Sequence, residues 1–433
     1  MIGTESKTER KQAPHWPLLQ RLAFRLACVY LILYNLPFPL NHLPGGGLLT
    51  HDVASAWQKL VVLFGDHVLS LDMVIVTTRG GSGDTTFHYV QAACIATASV
   101  LITLVWSVCD RRRQAYAELH DGLRTYIRYS LAWTMLTYGM MKIAVSQFGF
   151  PTLTDLVQTY GGSSPMGLLW NFMGYAAGYQ IFTGVAEWVG GLLLFLRRTT
   201  SLGALVIAGV MANVVVLNFC YDVPVKLHST HLLMMALFLL LPDVRRLADV
   251  LVFNRPVAAV DHAARLVPPS WHRRRTTLKA LFITYALLNT GILGLPARLN
   301  LDKPNPHPPL YGIHEVVGVQ GNADALPASI PAITHWRYLI VDDDDYSVIK
   351  QTDGKVVWVQ TVIDAAKGTL TLTRHGSKAS ATFTFAVTTP GHWQLQRTTA
   401  TGTLTLWMQR QDETQFELVK RGFHWINEVP YNH

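Results

Sequence analysis

The sequence predicts a protein of two halves, a membrane all-α helical bundle of about seven spans followed by a small all-β barrel or sandwich. Seven apolar runs, most near the roughly 20 residues that a spanning helix needs, fill the first three hundred positions. Beyond residue 310 the apolar period changes to two, with turn residues at short intervals. The bulk composition lies between the two classes: 433 residues, 50% hydrophobic, only 15% charged, with mean hydropathy +0.22.

The runs are 18–40, 87–109, 124–146, 172–196, 200–220, 227–242 and 276–296. A basic tail (Lys7, Arg10, Lys11) precedes the first, which lacks a small-residue cleavage site and so reads as a retained span. The net charge of +8 is not gathered on one domain. It sits as Arg111–Arg113, Arg197-Arg198, Arg245-Arg246 and Arg273–Arg275, each at the end of an apolar run. That is the positive-inside pattern and it excludes a nucleic-acid partner. With the N-terminus in the cytoplasm, every strongly basic loop falls inside and the 147–171 loop, which has no Lys or Arg, falls outside. Seven crossings then put the C-terminus outside. Between the first two runs, HDVASAWQKLVVLFGDHVLSLD carries apolar residues at helical spacing but too many charges to span, which predicts a helix on the membrane surface or capping the bundle.

The domain boundaries follow: a helical domain over 1–300, a Pro-rich linker over 301–310 (LDKPNPHPPL) and a β domain over 311–433. WRYLIV, YSVIK, KVVWVQTVI, TLTLTR, ATFTFAV, HWQLQ, TLTLWMQ and QFELVKR are the expected strands, an up-and-down meander closed on itself. Trp336, Trp358, Trp393, Trp407 and Trp425 are expected to supply much of its core. Cys28, Cys94, Cys109 and Cys220 have no paired spacing and read as small apolar residues.

An ionisable group in hydrocarbon costs about 2.5–3.5 kcal/mol even on lenient scales, so such residues mark where chemistry sits. The densest group lies between the fifth and sixth runs: Asn213, Asn218, Asp222, Lys226, His228 and His231. Pro224 breaks the helix there, and His228 and His231, at i and i+3, share a face. They can relay protons to a ligand headgroup, or simply bond neighbouring carbonyls. Two His with Asp222 make a poor metal site, so no metal is expected. Asn213 and Asn218 can hydrogen-bond across helices. Lys142 near the end of the third run and Glu187 within the fourth can neutralise one another or belong to a site. Glu187 sits deeper by length, so contact requires Lys142 to reach inward. Asp342–Asp345 lacks the spacing and Gly of a calcium loop and reads as a solvated turn. No phosphate loop, nucleophile elbow, haem-attachment motif or dinucleotide fingerprint is present.

The segment GVAEWVGGLLLFLRRTTSLGALVIAGVMANVVVLNFCYDVPVKLHSTHLLMMALFLLLPD, with the preceding YGMMKIAVSQFGFP, resembles the DoxX-like membrane family over about residues 120–245. It is distantly similar to the membrane domain of vitamin K-dependent γ-carboxylases. The resemblance implies a four-helix core and a role linked to quinone-dependent oxidation; taken with the loop charges, the expected location is a bacterial inner (cytoplasmic) membrane with a periplasmic C-terminal domain. The tail from LYGIHEVV to RGFHWINEVPYNH resembles a lipocalin-like domain, with Gly312-Ile313-His314 where a lipocalin places Gly-x-Trp. The leading expectation is a redox- or quinone-linked membrane component. In it Lys142, Glu187, Lys226 and His231 act on the ligand and its protons, while Asn213, Asn218, Asp222 and His228 help bind it. A quinone is the expected cofactor, since no redox ligand set is evident in the chain; the expected partners are the lipid bilayer and other membrane or periplasmic subunits. Two alternatives stand beside it: a non-catalytic module whose barrel holds a lipid or apolar ligand, and a carboxylase-like enzyme using Lys142 as base.

Overall fold

The computed structural model describes residues 15–71, 75, 77, 81–259, 272–301, 307–321, 326–343, 345–400 and 402–432. Helices α1 (Leu18–Asn35), α2 (Gly46–His67), α3 (Thr86–Cys109) and α4 (Ala117–Ile143) come first. Short α5 (Leu153–Leu156), α6 (Pro165–Tyr175), α7 (Ala177–Leu194), α8 (Thr200–Cys220), α9 (Lys226–Leu240), α10 (Val244–Leu251) and α11 (His272–Leu301) follow. The chain divides into two compact units, 1–147 with 178–298, and 148–177 with 299–433.

In the first unit α8 and α9 form an antiparallel pair, and α1 packs against α3 and α4, which also touches α9. The core is aliphatic, with Ile127, Leu131, Leu136, Leu194, Ile207 and Leu239 fully enclosed. Four segments among the described residues are long and apolar enough to cross a membrane: Leu18–His42, Thr86–Cys109, Arg197–Cys220 and Lys226–Leu251. Each buries well under half of its apolar window, and α3 turns Val100, Leu101, Leu104, Val105 and Val108 outward. Apolar surface on that scale is covered by lipid, so this unit is membrane-associated. One end carries an ionic collar: Arg124 pairs with Asp243, Arg197 with Asp121, and buried Arg128 donates to the Leu194 carbonyl.

Three expectations change here. The 172–196 run is not one helix, because Ala176 leaves helical geometry (φ −105°, ψ 81°) and separates α6 from α7. The first run ends as a helix at Asn35, ahead of Pro37 and Pro39, neither of which can donate to continue it. The linker expected over 301–310 begins inside α11, which runs to Leu301; its residues 302–306 lie outside the described residues.

In the second unit, β1 (Gly312–Gly321), β2 (Trp336–Val341), β3 (Tyr346–Gln351), β4 (Val356–Asp364), β5 (Thr369–Arg374), β6 (Ser380–Thr389), β7 (His392–Thr399) and β8 (Gly402–Gln411) form a closed antiparallel barrel in sequence order. β8 pairs back to β1, with Ile313 opposite Gln411. Strand alternation sends Leu339, Ile349, Val359, Leu372, Phe383, Leu395 and Leu406 inward, where they form the barrel's apolar core. The expected strand QFELVKR is instead a 3-10 turn at Glu413–Gln415 followed by helical turn α12 (Glu417–Lys420). β1 already occupies the edge of β8, and the Asp412 side chain accepts from the Thr414 N–H to start a helical turn. The eighth strand is β1, whose Gly-rich segment hides its alternation. The tryptophan core is also corrected. Trp336 is buried and Trp393 half-buried, but Trp358 and Trp407 fall on the outward strand parity and Trp425 lies beyond the barrel.

The outer face of β1–β3 is apolar too, and α5 covers it. Leu153 packs on Ile313, Ile340 and Val348, with Leu156 and Val157 alongside. Lys350 reaches out to donate to the Val157 carbonyl (2.5 Å) and to Gln158 Oε1 (3.0 Å). A loop from between α4 and α7 is therefore integral to the barrel unit, so 311–433 alone leaves an apolar wall uncovered.

Candidate functional site

The site lies within the first unit, at the end of the helices opposite the ionic collar. α8 stops at Cys220, and Asp222 takes a left-handed conformation (φ 51°) before Pro224, so the chain reverses and starts α9 at Lys226. The free amides at that helix start are capped by Asp84, whose carboxylate oxygens accept from Lys226 N–H (2.7 Å) and Leu227 N–H (3.0 Å). Asn218 Nδ2 donates to Ser229 Oγ at 3.0 Å, stitching α8 to α9. This fixes the face that carries His228 and His231.

His231 Nδ1 lies 2.7 Å from the Leu227 carbonyl, which can only accept, so Nδ1 carries the proton. On the neutral ring Nε2 is then an acceptor, and it takes the O–H of Tyr30 at 2.7 Å. One turn further along α1, Tyr34 Oη lies 3.1 Å from His228 Nδ1. The rings are aligned: Tyr34 and His231 stack with centroids 4.1 Å apart at 4°, and Tyr30 lies within 8° of the same plane. Tyr138 of α4 approaches His228 at 6.2 Å.

Tyr138 and Lys142 are i and i+4, on one face of α4. Lys142 Nζ donates to both oxygens of Glu187, at 2.7 and 2.8 Å, with both side chains buried. The inward reach that the sequence demands is met by close helix approach. A Cβ at Gly139 would sit 2.7 Å from the Gly184 carbonyl, and one at Gly184 equally close to that of Gly139. Each glycine is three residues before a member of the ion pair, so α4 and α7 touch backbone to backbone one turn away. Four helices thus supply a polar column, from Lys142 and Glu187 through Tyr138 and His228 to Tyr34, His231 and Tyr30.

Not every expected residue joins it. Asn213 is exposed on α8, about 140° around the helix from Asn218, as their five-residue separation requires. Asp222 is solvent-facing and ion-paired with Lys226 at 2.7 Å, with Asp84 3.9 Å from the same ammonium. These three groups form a charged rim, while Asn218 acts as a tie between helices. Among the described residues no group of three His, Cys, Asp or Glu is arranged for a metal. Sequence reasoning missed Tyr30, Tyr34, Tyr138 and Asp84. Tyr30 and Tyr34 had a signal, two hydroxyls at i and i+4 in the otherwise apolar stretch that follows Arg25, and Asp84 stands before Thr85-Thr86 at a span entrance.

Fold and site together define a membrane-associated helical protein with a partly enclosed Tyr/His/Lys/Glu column and an eight-stranded barrel unit. The chain is 33% identical over 123 residues to "Uncharacterized protein YwoB" of Bacillus subtilis (strain 168), a match covering 28% of this chain and 78% of that protein, and it belongs to the same family. No family model and no solved structure matches the chain.

Proposed function

We propose that the protein is a redox- or quinone-linked component of a bacterial inner membrane, with the Tyr/His column receiving a ligand headgroup and its protons. The observation that carries this reading is the fixed tautomer of His231. Its Nε2 is held ready to take the Tyr30 proton and return it through the same atom, while its Nδ1 is closed by a backbone carbonyl, so the two side chains form a proton donor–acceptor couple at Tyr30 rather than a relay through the ring. Quinone reduction consumes electrons and protons; partner subunits would supply the electrons, and the Tyr30–His231 couple near a charged rim is suited to supply protons. Lys142 Nζ is occupied by Glu187, so its use as a free carboxylase base draws no support from the geometry. The test is mass spectrometry of small molecules bound to detergent-purified protein. Quinone present in wild type and lost on His231→Ala or Tyr30→Phe supports the reading; equal quinone in all three overturns it.

The proposed topology is seven spans (α1, α3, α4, α7, α8, α9 and α11), with the N-terminus cytoplasmic and the barrel periplasmic. The ionic collar then lies on the cytoplasmic side, as basic residues prefer, and the column opens outward. A second reading, that the barrel holds a hydroxyl-bearing apolar ligand, is favoured by one observation. His314 Nδ1 and Trp393 Nε1 are buried without hydrogen-bond partners, their rings 5.9 Å apart. A hydroxyl can donate to the first and accept from the second. Lipid extracted from the full chain and absent from His314→Leu would favour it.

A further inference from the structure

After β8 the chain folds back on itself. Tyr431 Oη donates to Glu417 Oε2 at 2.5 Å, and the Arg421 guanidinium lies 4.3 Å over the Tyr431 ring while also donating to Asn427 Oδ1. Asn427 Nδ2 in turn donates to the His424 carbonyl at 3.3 Å. These bonds close 417–431 into a compact loop. Its base is polar and its tip is not: Phe423, Trp425 and Ile426 are 78%, 90% and 77% exposed, with the two aromatic rings edge to face at 5.1 Å. The loop's own bonds hold large apolar side chains out into solvent, which is costly for a chain with nothing to cover them.

We propose that this loop is an interfacial anchor, inserting Phe423, Trp425 and Ile426 at the headgroup–acyl boundary of the leaflet beside the barrel. Two observations select the bilayer as the occupant. The barrel unit continues in sequence directly from the lipid-covered helical unit, the division between them falling within α11 at residues 298 and 299, so both belong to one membrane-associated chain. The chemistry of the tip, Trp and Phe flanked by Lys420 and Arg421, with Tyr431 at its base, is that of residues that settle at a membrane–water interface. The inference does not depend on a quinone and requires only that the helical unit sits in a bilayer.

The experiment uses the full chain in nanodiscs of phosphatidylcholine and phosphatidylglycerol. Exposed Cys109 and Cys220 are replaced by Ser, buried Cys28 and Cys94 are kept, and a nitroxide is placed on Trp425→Cys or, as control, on His375→Cys in the exposed β5–β6 turn. The expected result is severalfold lower accessibility to a water-soluble nickel chelate and higher accessibility to oxygen at 425 than at 375, both effects reduced by Phe423→Ser with Ile426→Ser. Equal nickel accessibility at the two positions overturns the proposal, as does dipolar broadening at 425, which signifies a second copy of the chain instead. Quenching of wild-type fluorescence by brominated lipid, and a measurable drop in that quenching in Trp425→Phe, reads the same depth without a label.

Discussion

Lys142 and Glu187 show how much a single residue pair can declare in sequence. Two opposite charges in apolar runs are visible at once, yet their contact rests on Gly139 and Gly184, whose partners lie 45 residues apart and leave no local trace. The histidines read in the same way: their shared face follows from spacing, but the tyrosines that bond them sit on another helix. The pair makes a firm energetic prediction. Removing one member of a buried ion pair leaves an uncompensated charge and costs about 3–5 kcal/mol, whereas replacing both with apolar residues is near neutral. Lys142→Met should therefore lower the unfolding stability of detergent-solubilised protein by that order, and the double variant with Glu187→Leu should recover most of it; a double variant as unstable as the single one contradicts a purely paired role. In the barrel, burial holds the His314 imidazole below its ordinary value near 6.5. As pH falls below about 6.5 the unfolded chain takes up this proton and the folded barrel does not, so stability is lost on the acid side and unaffected above it. The barrel's denaturation midpoint should decline as the pH is taken below about 6.5, and His314→Gln should flatten that slope.

Elements were legible where a period was uninterrupted. Seven strands and the helices on either side of Pro224 stand out because alternation or apolar length runs unbroken between turn residues. Gly312–Gly321 escaped because its glycines dilute the pattern, and QFELVKR misled because Phe416 and Val419 fit a helical turn as well as a strand. Only barrel closure, a non-local property, decides between them. The α5 strap is illegible for the same reason: the strand residues that Leu153 packs on, Ile313, Ile340 and Val348, lie far along the chain, yet Leu153 is 5% exposed against them. It predicts that Leu153→Ala costs the barrel unit about 2 kcal/mol, the low end for such a truncation because a strap can settle inward. Hydrogen exchange of the full chain reads this as faster exchange in β1–β3 and unchanged exchange in β5–β6. Uniform change across all eight strands would mean that the strap supports the barrel globally instead of covering one wall.

At the scale of the whole molecule the strap also constrains how the chain threads the membrane. Residues 153–158 and the barrel belong to one compact unit and are bonded through Lys350, so they lie on the same side of the bilayer. Between residues 158 and 307 the chain must then cross an even number of times. α8 and α9 are two apolar segments long enough to do so. It follows that α7 and α11 either both cross or both stay on one side; one without the other would carry the barrel away from its own strap. The basic turn at Arg197-Arg198 separates these cases. If both cross, it lies opposite the strap and the barrel, where positive-inside preference puts it in the cytoplasm. If neither does, it shares their side. Topology reporters inserted after residue 161, between Arg197 and Arg198, and after Gly376 should read outside, inside and outside. Agreement of the first and third is required by the barrel contact itself, and a split between them would mean that Lys350 and Val157 do not meet in the membrane-inserted protein. Agreement of all three would leave α8 and α9 as the only crossings after the strap, and the column's Lys142–Glu187 end would then lie outside the hydrocarbon.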